Sequence, residues 1–217
     1  MGQIDRWVLR RAVRLLHDHH HAGHDISLSV NLSGKTMNDL ALPGDLAMML
    51  AAHPIPEDRM VIEVTETAAI VNIDRARQLA KDLRALGCRF APDDFGAGFA
   101  SFYYLKHLDF DYLKIDGEFI QHLADTPTHR LVVQAVVDIA RGLGTKTVAE
   151  FVEDQTTVEV LHDLGVDYGQ GYHLGRPGPL AERLPILPAP APTPAPPAPN
   201  PRRRHTAGPV RFLFSFT

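Results

Sequence analysis

A run of acids, amides and one lysine stands at the ends of short apolar segments, and these residue types suit metal and phosphate chemistry. Asn31 follows Ile26–Val30, Glu63 lies near the end of Met60–Val64, and Asp93 and Asp94 follow Cys88–Pro92. Lys114 and Asp116 close Phe110–Ile115, Glu150 follows Lys146–Ala149, and Gln170 comes after Val166–Tyr168. Each has an ordinary structural use: an Asp after a strand caps a helix, Asn31-Leu32-Ser33 makes a turn, and a strand lysine extends to solvent. Together they mean more. Four carboxylates, Glu63, Asp93, Asp94 and Glu150, would repel one another at a shared mouth unless cations neutralised them. Oxygen ligands of this kind suit Mg²⁺ or Mn²⁺, and a pair of such ions is a recurrent arrangement for phosphodiester hydrolysis.

The elements that must position these residues are written in a switching hydrophobic period. Ile4, Trp7, Val8, Ala12, Leu15 and Leu16 fall at helical spacing, as do Ala76, Leu79, Ala80, Leu83 and Leu86, and Leu131, Ala135, Ile139 and Leu143. The short runs between them read as strands. Three helices close on a Leu-Gly pair, at Gly87, Gly144 and Gly165, where glycine turns the chain into the next strand. Such alternation predicts an α/β fold with a parallel sheet and helices outside it. An open sheet would string the polar residues along an edge, whereas a barrel gathers C-terminal strand ends at one mouth, so a (β/α)₈ barrel accounts for them better.

Composition sets the frame. The chain has 217 residues, 45% hydrophobic and 22% charged, which suffices for one sizeable core. A net charge of −4 gives no basic excess for binding DNA or RNA polymers. The single cysteine, Cys88, has no internal disulfide partner and reads as a small buried hydrophobe. No apolar run reaches the roughly 18–20 residues of a membrane span, so a cytoplasmic location is expected. Ten of the 17 prolines lie between Pro185 and Pro209. The predicted barrel domain therefore covers 1–184, and 185–217 is expected to be a disordered Pro/Ala-rich tail carrying Arg202, Arg203 and Arg204. The apolar end at Phe212–Phe216 has no role in this reading.

Several words in this sequence are distinctive in order and spacing. Asp5-Arg6-Trp7-Val8-Leu9, Val30-Asn31-Leu32-Ser33, Glu63-Val64-Thr65-Glu66, Asp93-Asp94-Phe95-Gly96, Lys114-Ile115-Asp116, Ala149-Glu150 with Val152-Glu153, and Gln170-Gly171-Tyr172 resemble the EAL family of bacterial cyclic-di-GMP phosphodiesterases. The resemblance implies a (β/α)₈ TIM-type barrel that hydrolyses cyclic-di-GMP to linear pGpG with two Mg²⁺ or Mn²⁺ ions. It also implies metal ligation by Asn31, Glu63, Asp93, Asp94 and Glu150, with Lys114, Glu150 and Asp94 in catalytic positions. Lys114 would orient the attacking water or a phosphate oxygen, Gln170 would act through hydrogen bonds behind the ligands, and Glu66 would hold the loop after Asp94. Family members also allow a homodimer and a fused upstream regulatory domain.

The departures from that pattern shape the expectation. No Glu-Ala-Leu occurs, and the two opening strands of the family are missing, so about six of eight strands and a truncated, impaired site are expected. Ala97-Gly98-Phe99-Ala100-Ser101 carries fewer hydroxyls than the family loop, and Phe151 replaces a glycine beside Glu150, which threatens to displace that carboxylate or obstruct a ligand. Two rival readings stay open: an inactive module that binds cyclic-di-GMP or a protein, and a Schiff-base barrel enzyme with Lys114 as nucleophile. The histidines His17, His19, His20, His21 and His24 follow an amphipathic helix, and most of their ring nitrogens are expected to face water.

Overall fold

The computed structural model describes residues 2–95, 105–179, 184 and, as backbone, 214–216. The chain alternates helix and strand in the order α1 (Gly2–His21), β1 (Leu28–Leu32), α2 (Gly34–Met37), α3 (Leu42–Ala52), β2 (Met60–Thr65), α4 (Glu66–Val71), α5 (Ile73–Ala85) and β3 (Arg89–Asp93). It continues through β4 (Tyr112–Ile115), α6 (Gly117–Ile120), α7 (Pro127–Leu143), β5 (Lys146–Ala149), α8 (Gln155–Leu164), β6 (Tyr168–Gly169) and β7 (Phe214–Phe216). All strand pairings are parallel, in the orders β3-β2-β1-β7 and β4-β5-β6. The two sheets meet at β3 and β4, where Phe95 bridges Ile115 and the Asp111 amide donates to the Phe90 carbonyl at 2.8 Å.

The helices form as their spacing dictates. α5 buries Ala76, Leu79, Ala80 and Leu83, and α7 buries Val133, Val136, Val137 and Ala140, one stripe each against the sheet. Both α7 and α8 end on a glycine in the left-handed region, Gly144 (φ 71°) and Gly165 (φ 81°), a conformation that costs a residue with a Cβ more. The predicted strands all form. The first lies two residues later than its apolar run suggested, at Leu28–Leu32, so Asn31 sits within it.

The main core lies between helices and sheet. A separate small group, Val61, Ala91 and Val148 with Tyr112 and Tyr168, packs on the opposite face. Side chains alternate along a strand, so two residues further on, Glu63, Asp93, Lys114, Glu150 and Gln170 occupy that same inner face. The inner face thus changes from apolar to charged at the C-terminal strand ends.

Six parallel strands run in chain order as a partial barrel, as the sequence implied. One feature differs from a wholly unstructured tail: Phe214–Phe216 pairs with β1 in the register Leu28↔Phe214, Ser29↔Ser215, Val30↔Phe216. Residues 185–213 lie outside the described residues, as does the Ala97–Ser101 segment.

Candidate active site

Lys114, at the end of β4, is the hub. Its side chain is 2% exposed, and its Nζ donates to Glu63 Oε2 at 2.9 Å and to Asp93 Oδ1 at 2.6 Å, and pairs with Glu150 Oε1 at 2.8 Å. These acids come from β2, β3 and the residue after β5, so one ammonium can reach them only if the sheet curls. The expectation that strand ends converge is met by this geometry. Burial alone would push the lysine's pKa down, but Glu63, Glu150 and Asp93 outweigh it and raise it above its ordinary value. Held as an ammonium by three carboxylates, Lys114 is poorly placed to offer a lone pair to a carbonyl, which argues against the Schiff-base reading.

The carboxylates are not equivalent. Burial lifts Glu150 to about 7, helped by Asp93 and Glu63 and opposed by Lys114. Asp94 is also raised, by burial first and then by Asp93 and Asp116, with Lys114 opposing. Glu63 is fully buried, with Ser29 Oγ donating to its Oε1 and Lys114 holding its other oxygen. Asp93, Asp94 and Glu150 each present an oxygen, and the three lie within 4.8 Å of one another, the one such group of acids, cysteines or histidines among the described residues. Hard oxygens so placed fit a divalent cation of the Mg²⁺ or Mn²⁺ class. Gln170 Oε1, on the same inner face, is buried without a hydrogen-bond partner among the described residues, an acceptor left for an incoming donor.

Asn31 on β1 is the register partner of Glu63 on β2, which brings it to the same wall of the mouth. Glu66 is buried in the first turn of α4, and the loop it was expected to hold lies outside the described residues. Other members of the same motifs do structural work. Asp116 caps α6 by accepting from the Glu118 amide at 2.7 Å, and Thr65 caps α4. Asp5 accepts from both the amide and the hydroxyl of Ser33, tying α1 to the turn after β1.

Phe151 does not displace Glu150, which keeps its contact with Lys114. It adopts φ 52°, is 55% exposed as a residue and packs against Gly117, where an added Cβ would meet Phe151 Cδ2 at 2.1 Å. Two contributors escaped sequence reading. Ser29 looked like an ordinary strand residue, and only its place two residues before Asn31 on the inner face could have signalled its contact with Glu63. Gly171 belonged to a quoted motif without a role; a Cβ there would lie 2.2 Å from the Val152 nitrogen, so it lets the segments after β5 and β6 pack backbone to backbone.

A cavity of about 760 Å³ opens at the other end of the strands beside Arg59, Arg84, Arg89, Asp58, Asp111 and Lys146. Its charges are largely paired, Arg89 with Asp58 and Asp111, Arg59 with Asp25, and Lys146 with Asp167. Barrel sites gather at the opposite, C-terminal face, where the unbalanced charge lies. Cys88 is buried, and burial pushes its thiol up to about 12, consistent with a packing role. Among the described residues no helix is long and apolar enough to cross a membrane.

Comparison with known proteins agrees with this geometry. The sequence profile of the EAL domain matches residues 1–177. The chain is 41% identical over 181 residues to the cyclic di-GMP phosphodiesterase PdeB of Shewanella oneidensis, and 34% identical over 183 residues to PdeF of Escherichia coli. Those matches cover 83% and 84% of this chain but 21% and 24% of the relatives, so the chain spans under a quarter of their length. Among solved structures, the EAL domain of Xanthomonas citri FimX in complex with c-diGMP superposes with a TM-score of 0.79 at 29% identity, covering 82% of this chain and 71% of that one. The PaMucR phosphodiesterase in complex with c-di-GMP superposes with a TM-score of 0.77 at 37% identity, covering 84% and 74%. With the ordered motifs, the curled parallel sheet and these relatives in agreement, the chain belongs to the EAL domain family, that of the cyclic di-GMP phosphodiesterases.

Proposed function

We propose that this chain binds cyclic di-GMP at the acidic mouth and hydrolyses one of its phosphodiesters to linear pGpG with divalent cations, Mg²⁺ or Mn²⁺. The observation that carries the proposal is the gathering of Asp93, Asp94 and Glu150 oxygens around a buried lysine. Asp93, Asp94 and Glu150 would hold a cation, with Asn31 and Glu63 on the adjoining strands completing the ligand set. When bound, such a cation makes water more acidic and draws charge from phosphate oxygens.

The remaining work falls to the chain's own groups. Four carboxylates against one ammonium leave the mouth negative, which would repel a phosphodiester until cations restore balance. In the metal-free chain Lys114 pairs with three of the acids and offsets only part of their charge. Once a cation shares that task, the ammonium can turn to a phosphate oxygen or orient the attacking water as a compact point charge. Glu150, held near neutrality, can exchange a proton at working pH, and it becomes a ligand when it loses one. Gln170 Oε1 accepts from whatever donor enters beside these groups.

The test is product analysis. Incubation of the chain with cyclic di-GMP and Mn²⁺ is expected to yield pGpG, and EDTA is expected to stop it. Tight binding of the dinucleotide without any turnover would instead support the receptor reading, and neither binding nor turnover would refute both.

A further inference from the structure

The histidines closing α1 are spent on packing. His19 is only 3% exposed beside His24, while His17 and His20 donate to the backbone carbonyls of Pro54 and Ile26, so most of them do not face water as their spacing suggested. Phe151, at the rim of the acidic mouth, is a different case. Its neighbour Glu150 turns a carboxylate to Lys114, and the Val152 amide donates to the Gln170 carbonyl at 3.0 Å. The ring is thus bracketed by residues tied to the inner face. The Glu150 amide reaches the Ile115 carbonyl at 3.4 Å, and Gly117, two residues beyond Ile115, lies against the Phe151 ring. The turn between them borders the acids as well, because the Asp116 amide donates at 3.2 Å to the carbonyl of Phe95, the residue after Asp94.

This ring is free, and the backbone holds it at a cost. More than half of the residue is exposed, and among the described residues no other ring or cation stacks on it. Tyr172, exposed beyond β6, already has the Arg176 guanidinium 5.2 Å from its ring centre. Asp58, Asp94 and His122 also take a positive φ, but Asp and His enter that region more readily than a bulky Phe. Strain of this kind persists only where the surrounding structure enforces it, and it clusters at ligand clamps. In a nucleotide the base stands one ribose away from its phosphate. A ligand whose phosphodiester meets cations at Glu150 therefore carries a base outward to the next residue on the rim. We propose that the exposed ring of Phe151 stacks on a guanine of cyclic di-GMP, an inference that rests on the reading of the mouth given above. Stacking on an aromatic ring needs no charge, so it can hold a base beside acids that reach the phosphates only through cations. The side chain that threatened to obstruct the ligand becomes part of its seat.

Calorimetric titration of cyclic di-GMP into the full chain tests the inference, with Ca²⁺ as a cation that also takes oxygen ligands and product analysis to exclude turnover. Phe151→Leu keeps a Cβ and an apolar side chain at the same backbone position, so it removes the aromatic face alone. Affinity is expected to fall about fivefold or more in Phe151→Leu and to return to within about twofold of the unaltered chain in Phe151→Tyr. Mn²⁺ affinity, read by electron paramagnetic resonance without the dinucleotide, is expected to be the same in both variants and the unaltered chain. Phe151→Leu binding the dinucleotide as tightly as the unaltered chain, or more tightly, would overturn the stacking role and leave the reading of the mouth standing. A loss in Phe151→Tyr as large as in Phe151→Leu, or a parallel fall in Mn²⁺ affinity, would assign the effect to packing and overturn it too. No binding of cyclic di-GMP by the unaltered chain would overturn both.

Discussion

Lys114 is buried by a fold that also buries the charges it answers. Glu63, Asp93 and Glu150 each place an oxygen within 2.9 Å of its Nζ. Breaking a buried ion pair by removing one partner costs about 3–5 kcal/mol, because the other charge stays uncompensated. Lys114→Met should therefore lower the stability of the metal-free chain by about that much in urea unfolding with EDTA, and Mg²⁺ should restore part of it. A variant as stable as the parent would mean that the carboxylates are not held ionised. Glu150 sets the pH behaviour. Its folded pKa, about 7, lies above the ordinary 4.5, so the native chain holds this proton more tightly than the unfolded one. The stability this group contributes is full below about pH 4.5 and is lost as pH rises through 7. Glu150→Gln should remove that part of the slope in metal-free unfolding measured across the interval. Cation affinity runs the opposite way, since proton and metal compete for one carboxylate. It should fall about tenfold per pH unit below 7 in a Mn²⁺ titration, and less steeply in Glu150→Gln. Residue types and order made these acids and the lysine legible in the sequence. The unequal environments of the acids depend on burial, which sequence does not display.

The elements deliver these residues through the two-residue alternation of strands. Val61, Ala91, Tyr112, Val148 and Tyr168 pack together, and the next inward position on each strand or its extension is Glu63, Asp93, Lys114, Glu150 or Gln170. Short apolar runs ending in a polar residue were readable as strands for this reason, and glycine after Leu143 and Leu164 marked the helix ends. Ser29 stayed hidden because a serine in an apolar strand has no pattern of its own; its role exists only once β2 lies alongside. Strain sits in the segment leaving β5. Phe151 holds a left-handed φ of 52°, which costs a residue with a side chain about 1–2 kcal/mol. Phe151→Gly is expected to stabilise the chain by up to about 1 kcal/mol in chemical unfolding; a loss would show that the ring's packing on Gly117 outweighs the backbone strain. Gly171→Ala should act the other way. Its Cβ would meet Val152 backbone at 2.2 Å, so the segments carrying Glu150 and Gln170 must part, at a cost of about 1–3 kcal/mol and with loss of turnover.

At the scale of the whole molecule, six parallel strands in chain order form part of a barrel, and the edge of β1 is paired with Phe214–Phe216. That pairing gives the apolar C-terminus a use that composition alone did not suggest, because proline-rich sequence before it reads as a linker and says nothing of where the linker leads. An uncovered edge strand is a template for association. Removal of residues 185–217 should therefore shift the chain to larger species in sizing chromatography, while the full chain elutes smaller; identical elution would show that β7 does not protect the edge. Charge is also sorted along the molecule, with paired ions at the N-terminal strand ends and unbalanced acids at the C-terminal mouth. That asymmetry points to the mouth as a divalent-cation site. Anomalous diffraction from crystals of the full chain soaked in Mn²⁺ tests it most directly. An anomalous peak is expected within about 2.0–2.3 Å of oxygens of Asp93, Asp94 and Glu150, and is expected to be lost in Asp93→Ala. An empty mouth in Mn²⁺-soaked crystals, or a peak that persists there unchanged in Asp93→Ala, would contradict it.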